Sequence, residues 1–132
     1  MNITIDTSAL IAVIGNEASK PRIIEITKGY SLCAPMSVHW EVGNAFSAMF
    51  KRNHLNIEKA RQALAAYREI PIKFIDVPLE QTLEISNALN VYAYDAYLIQ
   101  CAQQTSTPLL TLDNGLKLAA KEKGVYVLEL NQ

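Results

Sequence analysis

The chain is short of the residues that most recognisable signatures require. Its five glycines, at positions 15, 29, 43, 115 and 124, build neither a G-x-G-x-x-G fingerprint nor a Walker A loop, which excludes the Rossmann and P-loop ways of cradling phosphate. It has two cysteines, Cys33 and Cys101, set far apart in apolar segments, so no disulfide framework is expected. The opening "MNITID" has no basic region leading into a long apolar one, and the simplest expectation is a reduced, cytoplasmic protein. No apolar run approaches the ~20 residues needed to span a bilayer. Repeats, low-complexity stretches and linkers are also missing. What is there is a chain of 132 residues, 50% hydrophobic and 19% charged with a net charge of −1. That composition suits a compact globule, and residues 1–132 are expected to form a single domain.

The hydrophobic period divides the chain into alternating elements. Strands are expected over 2–6, 30–34, 72–77, 108–113 and 125–130. Helices are expected over 8–15, 20–29, from Pro35 to about Arg52, over 56–69, over 78–90, from Asp95 to residue 105, and over 114–124. Pro21 and Pro78 stand in first-turn positions, and Gly15, Gly29 and Gly124 act as stops. In the long helix Val38, Val42, Ala45, Phe46 and Met49 recur at helical spacing and form its buried stripe. Strands joined by connections too long for hairpins specify an α/β sandwich around a mainly parallel sheet of five strands.

Acidic residues are placed unevenly on this frame. There are four aspartates, and three of them stand at junctions: Asp6 after the first strand, Asp113 after the fourth, Asp95 at a helix start. In open parallel sheets the ligand crevice lies beyond the carboxyl ends of the strands, where Asp6 and Asp113 must be. Asp76, near the end of the third strand, reads as a turn residue. Glu41 lies on the long helix at the border of its buried stripe, with small residues beside it. Taken singly, Asp6, Asp95 and Asp113 each read as a helix N-cap worth about 1 kcal/mol, and Glu41 as a solvated helix residue.

Taken together, "ITID", "HWEVGNA", "YAYDAYLIQCA" and "LLTLDNGL", in that order, make the chain resemble the PIN domain, from residue 2 to about 128. Its compact size resembles the VapC-type members, ribonuclease toxins of toxin–antitoxin pairs. The resemblance implies a strand order of 3-2-1-4-5, which would set Asp6 beside Asp113. It implies Asp6, Glu41, Asp95 and Asp113 as the catalytic and metal-holding acids, with Thr7, Ser8 and Asn44 orienting. It also implies RNA as substrate, cut to leave a 5′-phosphate and a 3′-hydroxyl. An antitoxin partner and a homodimer or higher assembly follow from the same likeness. A tyrosine ahead of Asp95, where many relatives carry a smaller residue, is the one departure.

Elementary chemistry agrees with a metal site. Four converging carboxylates would repel by roughly 1 to 4 kcal/mol per close pair, which only a cation makes sensible. An all-oxygen donor set without a suitably spaced Cys or His pair favours Mg²⁺ or Mn²⁺ over zinc. Such an ion would support hydrolytic phosphoryl transfer. The net charge is no obstacle, since 13 acidic residues less the four of the site leave 9 against 12 basic. Lys51, Arg52, Lys117 and Lys121 are candidates to track phosphates, or else solvated helix ends. Tyr92, Tyr94 and Tyr97 are candidates for stacking on bases, or else for packing the helix start. "HWE" echoes the H-x-E of zinc deaminases, but no P-C-x-x-C follows, so His39 is expected on the helix surface or partly buried. "IDTS" carries neither the D-x-D of aspartyl-phosphate phosphatases nor the acidic pair of a phosphoreceiver. Two rival readings keep the fold but not the toxin: a PIN-type nuclease of RNA processing, and a silent module that binds RNA or a partner.

Overall fold

A computed structural model describes residues 1–130. In chain order the elements are β1 (Asn2–Ile5), α1 (Thr7–Ile14), α2 (Lys20–Thr27), β2 (Ser31–Pro35), α3 (Ser37–Lys51), α4 (Ile57–Glu69), β3 (Ile72–Ile75), α5 (Leu79–Leu89), α6 (Ala93–Thr105), β4 (Leu109–Leu110) and α7 (Asn114–Glu122). The strands form one parallel sheet in the order β3-β2-β1-β4. Parallel neighbours must be joined by crossovers, here helices throughout, so all four strands end at the same edge. Among the described residues no helix is long and apolar enough to cross a membrane.

β1 is the centre of the sheet, with Thr4 opposite Cys33 on β2 and Leu109 on β4. Ile3, Thr4 and Ile5 are buried. The Thr4 hydroxyl pairs with that of Thr107 at 2.6 Å and lies 3.7 Å from the Cys101 sulfur on α6. Thr4 therefore faces α6, and because side chains alternate along a strand, Ile3 and Ile5 point to the opposite layer. Full burial of each isoleucine stabilises the fold by about 1.5–3 kcal/mol. α6 lies against β1, β2 and β4 with α5 beside it, while α1 packs against α2, α3 and α4. The stripe of α3 is buried at Val38, Val42 and Phe46, and half-buried at Ala45 and Met49. Gly29 and Gly124 both take φ of +83°, a left-handed conformation that glycine adopts without strain, which is why α2 and α7 stop before them.

Three expectations are corrected. The sheet has four strands, because β4 offers only Leu109 and Leu110 as an edge; the expected fifth strand reduces to one parallel bridge, Leu109 to Val127. It keeps its expected place beside β4, with the Leu109 amide donating to Tyr126 and the Leu128 amide donating to Leu109. Pro35 ends β2, opposite Ile75, and α3 starts at Ser37. A proline at the end of a ladder loses no hydrogen bond that the sheet needs. Lastly, α6 begins at Ala93, two residues before Asp95.

Candidate active site

Asp6 follows directly on β1, continuing its pairing through an amide that donates to Leu110 at 3.1 Å. It caps α1, its Oδ1 accepting the Ala9 amide at 3.0 Å. Its residue is only 4% exposed, so the carboxylate has to be satisfied from within. Ser8 does part of this, its hydroxyl 2.8 and 2.9 Å from the two carboxylate oxygens. Thr111, immediately after β4, donates a short hydrogen bond to Oδ2. Ser8 is itself fixed by the Leu112 amide, which donates to its oxygen at 2.9 Å. Thr111 thus holds the first acid, a role the sequence reading did not assign; its one outward sign is a hydroxyl residue set into the apolar run "PLLTLD".

The other acids come from the neighbouring elements at the same sheet edge. Asp113 caps α7, accepting the amides of Gly115 and Leu116 at 2.9 and 3.2 Å. Its own amide donates to the Thr111 hydroxyl at 3.0 Å, so one threonine touches both acids. Asp95 is not a cap: Tyr92 occupies that position without a side-chain bond, and Asp95 stands half-buried in the first turn of α6. Glu41 projects from α3, also half-buried, and its Oε1 is a buried oxygen without a hydrogen-bond partner.

The charges of these acids are felt by their neighbours. Burial, first of all, pushes the carboxyl of Asp6 above its usual range, and the charge of Asp113 adds to this, against the lowering effect of Thr111, Ala9 and Ser8. Asp95 is raised by burial and then by Asp113. Glu41 is pushed up to about 7 by burial, then by Asp6 and Asp95. The Thr7 hydroxyl lies near enough to oppose that shift slightly, yet makes no well-formed hydrogen bond, since Thr7 Oγ1 is also buried without a partner. Among the described residues, no three of His, Cys, Asp and Glu stand arranged to close round a metal ion as they are. The donor set still fits a hard divalent cation: every donor is a carboxylate oxygen, Asp6, Glu41 and Asp95 are each raised by a neighbouring acid, and Glu41 Oε1 has no hydrogen-bond partner.

The remaining candidates are distributed as follows. Asn44 is exposed on α3 and lines a hollow with Glu41, Trp40 and Tyr94. Lys51 and Arg52 are exposed at the end of α3. Lys117 and Lys121 lie 3.9 and 3.0 Å from Glu129, so both are engaged in ion pairs. Asp76 is exposed just past β3, its carbonyl accepting from Gln104. His39 is partly buried, its Nδ1 2.9 Å from the Tyr67 hydroxyl and its ring edge-on to Phe74. Tyr92 and Tyr94 are exposed, and Tyr97 is half-buried.

The family profile described as PIN domain matches residues 3–122. No curated protein sequence matches the chain significantly. Solved structures of similar fold include PAE2754 from Pyrobaculum aerophilum, 19% identical, with a TM-score of 0.73 over 96% of this chain and 83% of that one. VapBC2 from Rickettsia felis, solved bound to a DNA fragment from its promoter, is 14% identical with a TM-score of 0.70, covering 97% of this chain and 98% of that one. VapC20 from Mycobacterium tuberculosis, described as a sarcin-ricin-loop-cleaving toxin, is 15% identical with a TM-score of 0.63, covering 89% and 94% respectively.

Proposed function

The chain belongs to the PIN domain family, and from that premise we propose that it is a divalent-metal-dependent endoribonuclease, the VapC-type toxin of a toxin–antitoxin pair. What supports this reading is that Asp6, Glu41 and Asp95, from three separate elements, are each raised by burial and by the charge of a neighbouring acid, Asp113 among them. Structural capping accounts for Asp6 and Asp113. It does not account for Asp95, which caps nothing, or for Glu41, which leaves a buried oxygen unpaired.

Asp6 and Asp95 would hold Mg²⁺ or Mn²⁺, with Glu41 and Asp113 completing the set. Bound there, the ion supplies Lewis acidity to a phosphodiester and neutralises charge that develops during hydrolysis. The chain's own residues prepare the place. Ser8, Thr111 and the Ala9 amide fix Asp6 so that its carboxylate does not reorient as substrate arrives. Glu41, pushed up to about 7 by burial and by Asp6 and Asp95, is the acid of the set most ready to take up a proton when no metal is bound. Thr7 keeps a free hydroxyl beside Glu41, and Asn44 stands on the same helix at the hollow's rim. Exposed Lys51 and Arg52 are left to meet backbone phosphates, whereas Lys117 and Lys121 would first have to leave Glu129.

The same reading makes residues 1–132 one catalytic domain that works in the cytoplasm, pairs as a homodimer and is silenced by an antitoxin. The structural likeness to VapBC2 and to VapC20 supports it. The test is direct: purified protein should cleave single-stranded RNA with Mg²⁺ or Mn²⁺ and stop on addition of EDTA. Metal-independent cleavage, or none with either ion, would overturn the proposal.

A further inference from the structure

Beside the acids lies a feature that acid chemistry does not use. Trp40 is 68% exposed and Tyr94 59% exposed, on helices α3 and α6. Trp40 meets His39 edge-on at 4.8 Å, and His39 is anchored by the Tyr67 hydroxyl. Tyr94 meets Tyr97 edge-on at 6.0 Å. Between them runs a groove of about 310 Å³, whose walls include Met36, Ser37, Trp40, Asp76, Tyr94 and Tyr97. Asp76, exposed just past β3, puts a carboxylate residue in its wall. A second hollow, of about 300 Å³, shares Trp40 and Tyr94 and continues to Glu41 and Asn44. The two hollows thus share their aromatic residues, and the second reaches one candidate acid, Glu41.

Its chemistry matches one kind of occupant. Aromatic side chains beside a carboxylate residue suit a flat, apolar-faced group carrying hydrogen-bonding atoms on its rim, which describes an unstacked nucleobase. The geometry points to a base-binding subsite: one base of a single-stranded RNA, next to the phosphate held at the acids, stacks on Trp40 and Tyr94 and turns its edge to Asp76. Identifying the ligand as RNA rests on the nuclease reading; the stacking site does not. Asp76 in its ionised form only accepts hydrogen bonds, so edges rich in donors are preferred. Guanine offers two adjacent donor groups, whereas uracil offers one between two carbonyls.

Trp40 is the chain's only tryptophan, so its fluorescence reports this groove directly. The probes are RNA hexamers of uridine with guanine, uracil or no base at one central position, titrated with Ca²⁺ in place of Mg²⁺; cleavage is followed separately with Mg²⁺. The guanine hexamer should quench Trp40 and bind more tightly than the uracil hexamer, and both more tightly than the abasic one. Tyr94→Ala should weaken binding at least about fivefold and raise KM with kcat largely kept. Asp76→Asn should narrow the gap between guanine and uracil. Equal binding of abasic and base-bearing hexamers would overturn the subsite. So would Trp40 emission that follows protein concentration and ignores RNA, which would make the groove a contact between copies. Cleavage without quenching removes the subsite and leaves the nuclease; quenching without cleavage does the reverse.

Discussion

The Thr111 hydroxyl donates to Asp6 and accepts from the Asp113 amide, so a single side chain ties the carboxylate after β1 to the acid after β4. Thr111 is fully buried. Replacing it by valine keeps the shape, removes a donor to a buried carboxylate and leaves the Asp113 amide without that acceptor. Thr111→Val should cost about 1–3 kcal/mol at neutral pH. The donor it removes favours the ionised form of Asp6, so the loss should shrink as pH falls. Denaturant unfolding at pH 5 and pH 8 checks both statements; a loss that grows with acidification would show that Thr111 does not support the Asp6 charge.

Catalysis should depend on the acids whatever they contribute to stability. Asp6→Asn and Asp95→Asn should each lower RNA cleavage at least about 100-fold, which corresponds to the several kcal/mol a metal supplies to the transition state. Gel assays over a range of Mg²⁺ concentrations give the answer. Either variant retaining parental activity would remove that residue from the site.

Asp95 and Asp113 should behave differently on truncation. Asp113 accepts two amides as a cap, so Asp113→Ala should lose about 1 kcal/mol. Asp95 caps nothing and is held above its usual pKa by burial and by Asp113. Without metal, Asp95→Asn and Asp95→Ala should melt at or above the parent temperature, and both should gain less from added Mg²⁺. Equal Mg²⁺ stabilisation of parent and variants would mean that Asp95 holds no ion.

The metal-free protein should grow more stable on mild acidification. Glu41 has a folded pKa of about 7 against an ordinary 4.5, so between these values the folded state keeps a proton that the unfolded chain has released. Stability therefore falls as pH rises through that window and stays low above it. Asp6 and Asp95, also raised, act in the same direction. Allowing for solvent at this half-buried group, lowering the pH from 8 to 5 should add about 1–2 kcal/mol. Melting curves in EDTA should show this, and Glu41→Gln should flatten most of it. A parent curve that rises with pH would contradict the coupling of these acids.

Toxicity should follow catalysis. Expression of the chain by itself should slow growth of its host, with Asp6→Asn relieving the effect. A partner that places a basic side chain among the acids should do the same in vitro. Normal growth at high soluble expression of the parent would favour a processing nuclease or a silent module.

Several parts of the molecule could be read before any coordinates, for identifiable reasons. Asp6 and Asp113 are local signals, acting on amides within a few residues, and each caps a helix where it was expected to. The sequence points to Asp95 for the start of α6 because "YAY" carries no capping side chain, and the helix begins two residues earlier without one. Pro35 can open a helix or close a strand with the same φ, and only its pairing with Ile75 decides. "VYVLEL" alternates as a strand should, but the two-residue edge of β4 cannot be seen from within that segment. Thr111 passed for an ordinary β-branched strand residue, because its partner lies far away in sequence. The proximity of Asp6 to Asp113 came from family likeness, since spacing along a chain does not determine which strands are neighbours.

The pairing of β1 with β4 also has a consequence for the order of events in folding. Thr111 and Asp6 are 105 positions apart, so the bond between them closes a loop spanning most of the molecule. Such a closure is slow relative to local contacts, while β1, β2 and the helices between them can assemble from nearer neighbours. A nascent chain that has passed β3 but not reached β4 already contains Asp6 and Glu41, yet Asp6 lacks its Thr111 donor and Asp113 has not been made. The centre therefore stays incomplete on the ribosome until β4 docks. The four acids can meet only once the last strand of the sheet has joined the first, and not as a product of local structure alone.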